Sequence, residues 1–404
     1  MKHRLWIAAC ALAGNACGPA ALAQPVEPVP TLSAAVESAW QRAVLARETE
    51  GQRQLAAAQR QAARSLWAAP PAVEINYLDD RLQTAAGRRE TELALAWPLW
   101  LPGQRAARRA TADAGSALAQ IAHVAARLRI TGEVREAAWA VLSNEAEVAQ
   151  ATAVQQSLQL LHADVDRRVR AGDLARADAL ASQAEERAAV AQQSAAGQRL
   201  LAARSRWALL TGLQAVPAAG EPAAEGSVAE HPELLLALQH TELARRRLEQ
   251  VQATRREPPE LLLRYRQEVP GRAEATQNSI GIGLRLAFGT ADRNEPLLAA
   301  ALSELDVARA SERQLRARLA ADLTEARAAQ LAAAQQLAAE RERAALLRER
   351  AQLIDKSFNA GESPLPELLG ALAAAAQADA AVAGQQTALG LARSRLRQTL
   401  GLLP

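Results

Sequence analysis

The sequence contains a helix-forming run that is too long for one globular core. From Gln104 to Arg170 the sequence contains no proline and only two glycines, Gly115 and Gly132. As a single α-helix, at about 1.5 Å per residue, this run would be roughly 100 Å long. A helix of that length must be packed along its sides by other helices in a coiled-coil manner.

The run ends in a predicted hairpin tip, Arg168 to Leu180. Gly172 can adopt the positive φ that ends a helix, and Asp173 is predicted to cap the first turn of the next one. The predicted return helix runs from Leu174 to Leu210 and is closed by Gly212.

The return helix is too short to cover the long helix by itself. A further helix is predicted from Leu32 to about Trp67, before Pro70-Pro71. Placed end to end, the two shorter helices are about as long as the long one. The sequence therefore predicts one long helix packed against two shorter helices.

The tip recurs in the second half of the chain, at Ser357 to Leu369. Gly361 again supplies the helix end, and Pro364 suits a first helical turn. An acid follows six residues after each tip glycine: Asp178 in the first half and Glu367 in the second.

Other segments repeat at a nearly constant offset of 188 or 189 residues. Pro70-Pro71 recurs as Pro258-Pro259, and Gly212-Leu213 recurs as Gly401-Leu402. An offset held over almost two hundred residues indicates a duplication. The predicted organisation is a signal peptide at 1–23, a first repeat at 24–213, a linker at 214–230 and a second repeat at 231–404.

Composition favours long, closely packed helices over a compact globule. Half of the residues are hydrophobic but only 3% are aromatic, and much of the apolar content is alanine, which allows helices to approach closely. The net charge of +3 argues against general nucleic-acid binding, which needs a concentrated basic surface.

The N-terminus predicts export. Lys2 and Arg4 precede an apolar run, and Ala21-Leu22-Ala23 forms a small-x-small cleavage site. A lipoprotein cleavage box ending at Cys10 is a weaker alternative. Both cysteines, Cys10 and Cys17, lie in this segment, so the mature chain is predicted to have no disulfide and no thiolate metal site.

Each half also contains two predicted β-strands in a hairpin, at 72–100 and 260–288. In the first half, apolar residues alternate over Ala72 to Asp80 and over Thr91 to Trp100. These strands have the length that crosses a bilayer. Four strands cannot close a barrel, and lipid tolerates no open edge. Three chains would supply 12 strands, whereas the alternative is a soluble β-subdomain.

Aromatic residues near the strand ends suit an interfacial girdle in a membrane. The predicted girdle residues are Tyr77, Trp97, Trp100, Tyr265 and Phe288.

The sequence resembles the TolC family of outer-membrane efflux factors over nearly the whole mature chain. The features that carry this resemblance are the strand pairs, the very long helices, the duplicated tips and the closing Gly-Leu pairs. The implied fold is mostly α with a small β part: duplicated coiled-coil hairpins and four transmembrane strands per chain, in a homotrimer with a 12-stranded β-barrel and a helical tunnel. The implied place is the outer membrane, in contact with its lipid, with an extension into the periplasm.

The resemblance also implies partners: a periplasmic adaptor protein and, through it, an inner-membrane pump, here predicted to be of the RND class. The tip residues implied in adaptor docking are Ala171, Gly172, Asp173, Ala360, Gly361 and Glu362. The implied constriction of the periplasmic entrance maps onto Asp178, Glu367 and Phe358. Ser363, Pro364 and Gly370 depart from the usual pattern of basic and acidic gating groups. Without the resemblance, Asp178 and Glu367 favour only the first turns of their helices.

The segment from Trp97 to Gln104 is similar to the heavy-metal branch of the family. His162, Asp164 and Asp166 form a metal-like cluster, but only His162 and Asp166 can share a helix face, so no metal site is predicted. No cofactor or catalytic motif is present. The expected function is a passive exit duct and not an enzyme; the alternative is a periplasmic coiled-coil adaptor or scaffold protein.

Overall fold

The computed structural model describes residues 30–82, 85–217, 220–222, 224–289 and 291–404. The predicted signal peptide lies outside the described residues. The described part of the chain contains helices α1 (Leu32–Arg42), α2 (Val44–Ala62), α3 (Gln104–Ala171), α4 (Arg176–Thr211), α5 (Pro232–Ala253), α6 (Ala291–Asn359) and α7 (Leu365–Thr399), and strands β1 (Ala72–Asp79), β2 (Arg89–Pro98), β3 (Glu260–Val269) and β4 (Gln277–Arg285).

Two very long helices form the frame of the molecule, which confirms the mainly helical fold with a small sheet. Helix α3 has 68 residues and α6 has 69. The glycines inside α3 do not interrupt it, because neighbouring helices pack against it along its length. At Gly132 the side-chain amide of Gln398 would lie about 3.0 Å from an added Cβ. In this way a glycine, unfavourable in an isolated helix, accommodates a neighbouring helix.

Shorter helices flank each long helix, and ion pairs mark the contacts. Helix α4 runs along the tip-ward part of α3, where Arg199 lies 2.6 Å from Glu147. Helix α2 packs on the opposite part, where Arg60 lies 2.9 Å from Asp113. Helices α5 and α7 pack against both α3 and α6.

The prediction of one continuous helix from Leu32 to about Trp67 is wrong, because the segment forms two helices and the second one ends earlier. The segment is divided at Ala43, which has an extended backbone with φ −69° and ψ 134°. The division lets α1 turn onto α3 and α4, where Val36 and Trp40 are buried. The second part ends at Ala62, and the segment that follows folds back through Ser65, whose hydroxyl donates to the carbonyl of Trp67.

The strands form one antiparallel sheet in the order β1-β2-β3-β4. All four overlap the segments where the alternating pattern predicts strands, but β4 ends at Arg285 and does not reach position 288. Strand β2 ends at Pro98 instead of at Trp100. Proline has no backbone N–H to continue a ladder. Within one described chain, β1 and β4 are edge strands.

Midway along the bundle, at a level that we call the waist, α1 and the end of α4 meet α3. The first waist core is apolar and includes Val36 and Trp40 from α1, Val134 from α3 and Trp207 from α4. Trp207 is fully buried, and its indole N–H donates to the carbonyl of Ala215 at 3.2 Å.

A buried polar cluster, the Arg135–Glu221 node, lies at the same level. The guanidinium of Arg135 makes a bidentate pair with Glu221 at 2.6 and 2.8 Å and also donates to the carbonyl of Leu402. Glu221 accepts further hydrogen bonds from Ser394 at 2.9 Å and Arg397 at 3.0 Å. The segment predicted as a linker thus contributes a buried carboxylate that joins α3 to α7.

Candidate functional site: the hairpin tips and the sheet

Both hairpin tips have the same backbone geometry. Gly172 and Gly361 have φ of 90° and 79°, in the left-handed region that favours glycine. In the first tip, the N–H of Asp173 donates to the carbonyl of Arg168, and the N–H of Gly172 donates to the carbonyl of Val169. The second tip repeats these bonds 189 residues later, which is the Schellman pattern of a helix C-terminus.

The prediction that Asp173 caps the returning helix is wrong, because Asp173 belongs to the turn that ends α3 and lies outside the first turn of α4. Helix α4 begins two residues later than predicted, at Arg176, with Ala175 at the N-cap position. Asp178 supplies the cap instead: its carboxylate accepts a hydrogen bond from the Ala175 N–H at 3.1 Å. Within one chain, the geometry therefore supports a helix-capping role for Asp178.

The second tip starts its return helix differently. Pro364 occupies the N-cap position of α7 and not its first turn. Glu367 lies in that first turn and is exposed. Its side chain makes no hydrogen bond or ion pair with any described residue, so its charge remains available at the tip.

Phe358 packs in the interior of the tip. It is 3% exposed and forms a cluster with Val165, Leu365 and Leu368. A side chain buried within one chain does not line a pore, so the structure gives Phe358 a packing role. The six residues predicted for docking lie at the opposite extreme, because all of them are exposed on the outside of the tips: Ala171, Gly172, Asp173, Ala360, Gly361 and Glu362.

One tip residue that the sequence analysis did not single out is Arg168. Its guanidinium lies 5.0 Å from the ring centroid of Phe358 and donates to the Asn359 side chain at 2.5 Å. The same guanidinium pairs with Asp164 at 2.8 Å. Arg168 is one of two cations in the last turn of α3. It contacts the last turn of α6, so it links the two hairpins. Sequence spacing did not reveal it because the link spans 191 residues.

The metal-like cluster before the first tip does not come together. His162 shares a hydrogen bond with Ser182 at 2.9 Å, Asp164 pairs with Arg167 and Arg168, and Asp166 pairs with Arg170 at 2.7 Å. Across the described residues, no group of three potential metal ligands is found.

The sheet has two faces of opposite character. Strand pairing places Val73, Leu95, Leu263 and Ile282 side by side, and Ile75, Leu93, Tyr265 and Ile280 form the next row. Several of these side chains are largely exposed; Ile75 and Ile282 are 70% and 79% exposed. One face of the sheet is therefore apolar and uncovered within this chain.

The opposite face is charged. Arg266 lies 2.7 Å from Glu90, and Arg264 lies 3.6 Å from Glu92, both pairs across β2 and β3. Glu74 lies on the same face beside Ala94. Strands that alternate between an apolar and a charged face have the pattern of a barrel wall with lipid on one side and water on the other.

The predicted girdle residues fall into two groups. Tyr77, Trp97 and Tyr265 lie on the apolar face. Tyr77 pairs with Thr91, six residues from Trp97, so roughly 20 Å separates these two rows. Trp100 and Phe288 follow the strands instead: the Trp100 indole donates to the carbonyl of Ser65 at 3.3 Å, and Phe288 is 92% exposed.

Comparison with solved structures identifies the fold. The chain superposes on the outer membrane protein VceC of Vibrio cholerae (TM-score 0.74, 16% identity, 92% of this chain and 96% of that chain). It is similar to the CmeC outer membrane channel of Campylobacter jejuni (0.75, 12%, 92% and 85%). The open state of the MtrE outer membrane channel of Neisseria gonorrhoeae is also similar (0.74, 17%, 92% and 89%).

These matches cover nearly the full length of both chains, and this protein therefore has the fold of outer-membrane channels of this type. No protein-family model matches the sequence, and no curated protein matches it either. Among the described helices, none combines the length and the apolar character needed to cross a membrane.

Proposed function

We propose that this protein is the outer-membrane exit duct of a tripartite efflux system. It passively conducts substrates that an inner-membrane pump and a periplasmic adaptor deliver to it. The observation that carries the proposal is the two-faced sheet at one end of the long helices. Its uncovered apolar face and charged opposite face suit a wall between lipid and a water-filled lumen.

The open edges of the sheet require more than one chain. Lipid leaves the unpaired N–H and C=O groups of an edge strand unsatisfied, so β1 of one copy must pair with β4 of another. With four strands in the described part of each chain, three chains close a 12-stranded barrel. The fold that the chain shares with solved outer-membrane channels supports placing this barrel in the outer membrane.

In this arrangement the long helices form a tunnel that extends into the periplasm. The exposed tips, around Gly172 and Gly361, are the surface for the adaptor. The adaptor connects the duct to an inner-membrane pump, for which the RND class is our proposal. Heavy-metal cations are a candidate cargo, because the segment from Trp97 to Gln104 is similar to the metal-exporting branch of the family that the sequence resembles.

The tip is the proposed gate. Three copies each of Asp178 and Glu367 around a narrow entrance would attract cations. Ser363 and Pro364 stand where a basic gating group is usual, and we propose that Arg168 is the basic group of this gate. Because it holds Phe358 and Asn359 of the second hairpin, we propose that it keeps the two hairpins together in the closed state.

The first test is the state of the protein purified from outer membranes in detergent. A heat-modifiable trimer with both α-helical and β-sheet circular dichroism is the expected result. A monomer or dimer that stays in the soluble periplasmic fraction would overturn the duct and favour the coiled-coil scaffold.

The charged gate is tested in planar bilayers with Asp178→Asn and Glu367→Gln combined. Asparagine keeps an oxygen that can cap Ala175, so this variant removes charge while it preserves the helix start. We expect higher single-channel conductance and weaker block by divalent cations. The matched control is Glu185→Gln with Glu342→Gln, which removes two exposed carboxylates away from the tips. If the tip variant conducts and is blocked like the control, Asp178 has only its capping role.

The Arg168 link has its own matched control one residue away. Arg167 pairs with the same carboxylate, Asp164, but its side chain is 71% exposed and makes no hydrogen bond or ion pair with any described residue of the second hairpin. Arg168→Gln should increase the open probability, whereas Arg167→Gln should leave it unchanged. Equal effects of the two variants would show that the link between the hairpins does not hold the gate.

A further inference from the structure

A small basic cavity lies between α2 and α3, close to the sheet. It has a volume of about 280 Å³ and is lined by Arg60, Ala63, Arg64, Arg109, Ala112 and Asp113. We call it the arginine pocket. Asp113 lies 2.9 Å from Arg60, so one of the three guanidinium groups is neutralised. Arg64 and Arg109 are exposed and have no acidic partner among the described residues, which leaves the pocket with two uncompensated positive charges.

A fourth arginine increases the positive charge beside the pocket. The guanidinium of Arg105 donates to the carbonyl of Arg64 at 3.0 Å. Its Nε is buried and has no hydrogen-bond acceptor in the described part of the chain. A ligand for this pocket must therefore be anionic and small enough to fit a headgroup-sized space.

The pocket adjoins the end of the sheet. The segment between Arg64 and β1 is held there, because the N–H of Ala68 donates to the carbonyl of Pro98 at 3.1 Å. Arg109 lies five residues into α3, or roughly 8 Å along the helix from its start. Arg109 is thus within two helical turns of the start of α3, which follows the end of β2.

Between the pocket and the strands, the chain exposes large apolar side chains. Leu66 is 74% exposed and Trp67 is 36% exposed. Trp100 follows at the strand end, with the Arg108 guanidinium 5.7 Å from its ring centroid. A basic pocket bordered by exposed leucine and tryptophan on the membrane side has the character of a lipid headgroup site.

The duplication supplies an internal comparison. The second-half positions that correspond to Arg109, at an offset of 188 or 189 residues, are Leu297 and Leu298, and those for Arg64 are Gln252 and Ala253. The shared helical architecture therefore does not require cations there. The two uncompensated arginines, Arg64 and Arg109, therefore have no basic counterpart at these positions of the second half.

We propose that the arginine pocket binds the phosphate headgroup of an anionic phospholipid, in the membrane leaflet that meets the helical end of the sheet. The proposal rests on the membrane location of the sheet proposed above. The guanidinium groups of Arg64 and Arg109 would contact the phosphate oxygens. The exposed Leu66 and Trp67 would lie against the acyl chains.

The test uses the full chain purified in detergent and native mass spectrometry with two lipid probes, phosphatidylglycerol and the zwitterionic phosphatidylethanolamine. The pocket variant is Arg64→Gln with Arg109→Gln. Both side chains are exposed and unpaired, so the variant should fold. The control is Arg47→Gln with Arg341→Gln, which removes two exposed arginines elsewhere.

We expect the wild type to retain phosphatidylglycerol in preference to phosphatidylethanolamine. Removal of each arginine should weaken binding by slightly more than about 5-fold, so the pocket variant should bind phosphatidylglycerol about 30-fold more weakly than the wild type. The control should bind as the wild type does. Equal retention by the pocket variant and the wild type would overturn the proposal. Displacement of the lipid by inorganic phosphate at comparable concentration would also overturn it, since the pocket would then be a site for soluble anions.

Fractionation of each variant separates this proposal from the duct itself. The pocket variant should still be an outer-membrane trimer, so its lipid loss would report on the pocket alone. A wild-type chain that never enters the membrane would overturn both proposals. A membrane trimer without preference for phosphatidylglycerol would overturn only the lipid site.

Discussion

The two halves of the chain hold their waists together by different means. In the first half, helix α1 packs Val36 and Trp40 against Val134 and Trp207. At an offset of 189 residues, the positions of Val134 and Trp207 are Leu323 and Leu396, which form a second, smaller waist core with Leu400. The position of α1 is taken by a segment of which the structure describes residues 220–222 and 224–230, and most of these are not helical.

The sequence of that segment explains why it differs from α1. Ala35 and Ala39 of α1 correspond to Ala224 and Val228. These two residues pack against the second waist core, as Ala35 and Ala39 pack in the first. Pro222, Gly220 and Gly226 disfavour a helix there. Leu32, partly buried in the first half, corresponds to Glu221 in the second. A duplicated architecture thus tolerates the exchange of an apolar helix for an extended segment with a buried ion pair.

The largest expected effect is in the first waist core. Trp207→Ala should reduce the free energy of unfolding by about 4 kcal/mol, because it leaves a large cavity around a fully buried side chain. The equivalent Leu396→Ala should cost about 3 kcal/mol. Urea unfolding followed by circular dichroism measures both. A larger loss for Leu396→Ala would reverse the ranking of the two cores.

The next effect separates the node from ordinary surface pairs. Arg135→Met leaves the Glu221 carboxylate buried without its bidentate partner and should cost about 3 kcal/mol. Arg199→Met breaks the half-exposed pair with Glu147 and should cost less than about 1 kcal/mol. The double variant Arg135→Met with Glu221→Gln should recover part of the loss. Additive losses in that double variant would contradict the proposed coupling between the two side chains.

The node should also make the second waist sensitive to acid. Burial alone would raise the pKa of Glu221, but the hydrogen bonds from Arg135 and Ser394 and the charges of Arg135 and Arg397 outweigh it and hold the pKa below its ordinary value of 4.5. A lowered carboxyl pKa stabilises the native state fully above pH 4.5, and this contribution is lost as the pH falls towards the folded pKa.

Thermal midpoints measured from pH 7 down to pH 3 test this dependence. The midpoint of the wild type should fall more steeply below about pH 4.5 than that of Glu221→Gln, because the variant has no proton to gain at this position. Parallel curves for the two proteins would show that the node does not contribute to acid sensitivity. Among the described residues, the first waist core contains no carboxylate equivalent to Glu221, so Trp207→Ala should shift the curve without changing its shape.

The smallest effect concerns the tips, where the two halves are alike. Gly172→Ala and Gly361→Ala should each cost about 1 kcal/mol, since alanine is strained at positive φ. No atom lies within 4 Å of an added Cβ at either position, so strain is the only expected cost. Equal thermal shifts are the expected result, and a marked inequality would show that the two tips are not equivalent in the assembled protein.

Sequence periodicity located most elements of the fold, because long uninterrupted runs and alternating runs have strong signals. The run from Gln104 to Arg170 became α3, and the alternating segments became a four-stranded sheet. Boundaries were less accurate where a local signal competed with another. Asp173 is a good capping residue by type, but its N–H closes the preceding helix, and Asp178 takes the cap.

The long helices, the glycine turns at the tips and the two-faced strands could all be predicted from the sequence, because each follows from local backbone preference and short-range periodicity. The contacts between distant groups depend on the tertiary structure. It buried Phe358, joined Arg168 to the second hairpin, and brought Glu221 to Arg135 across 86 residues. Such contacts depend on how helices pack side by side, and no spacing within a single helix encodes them.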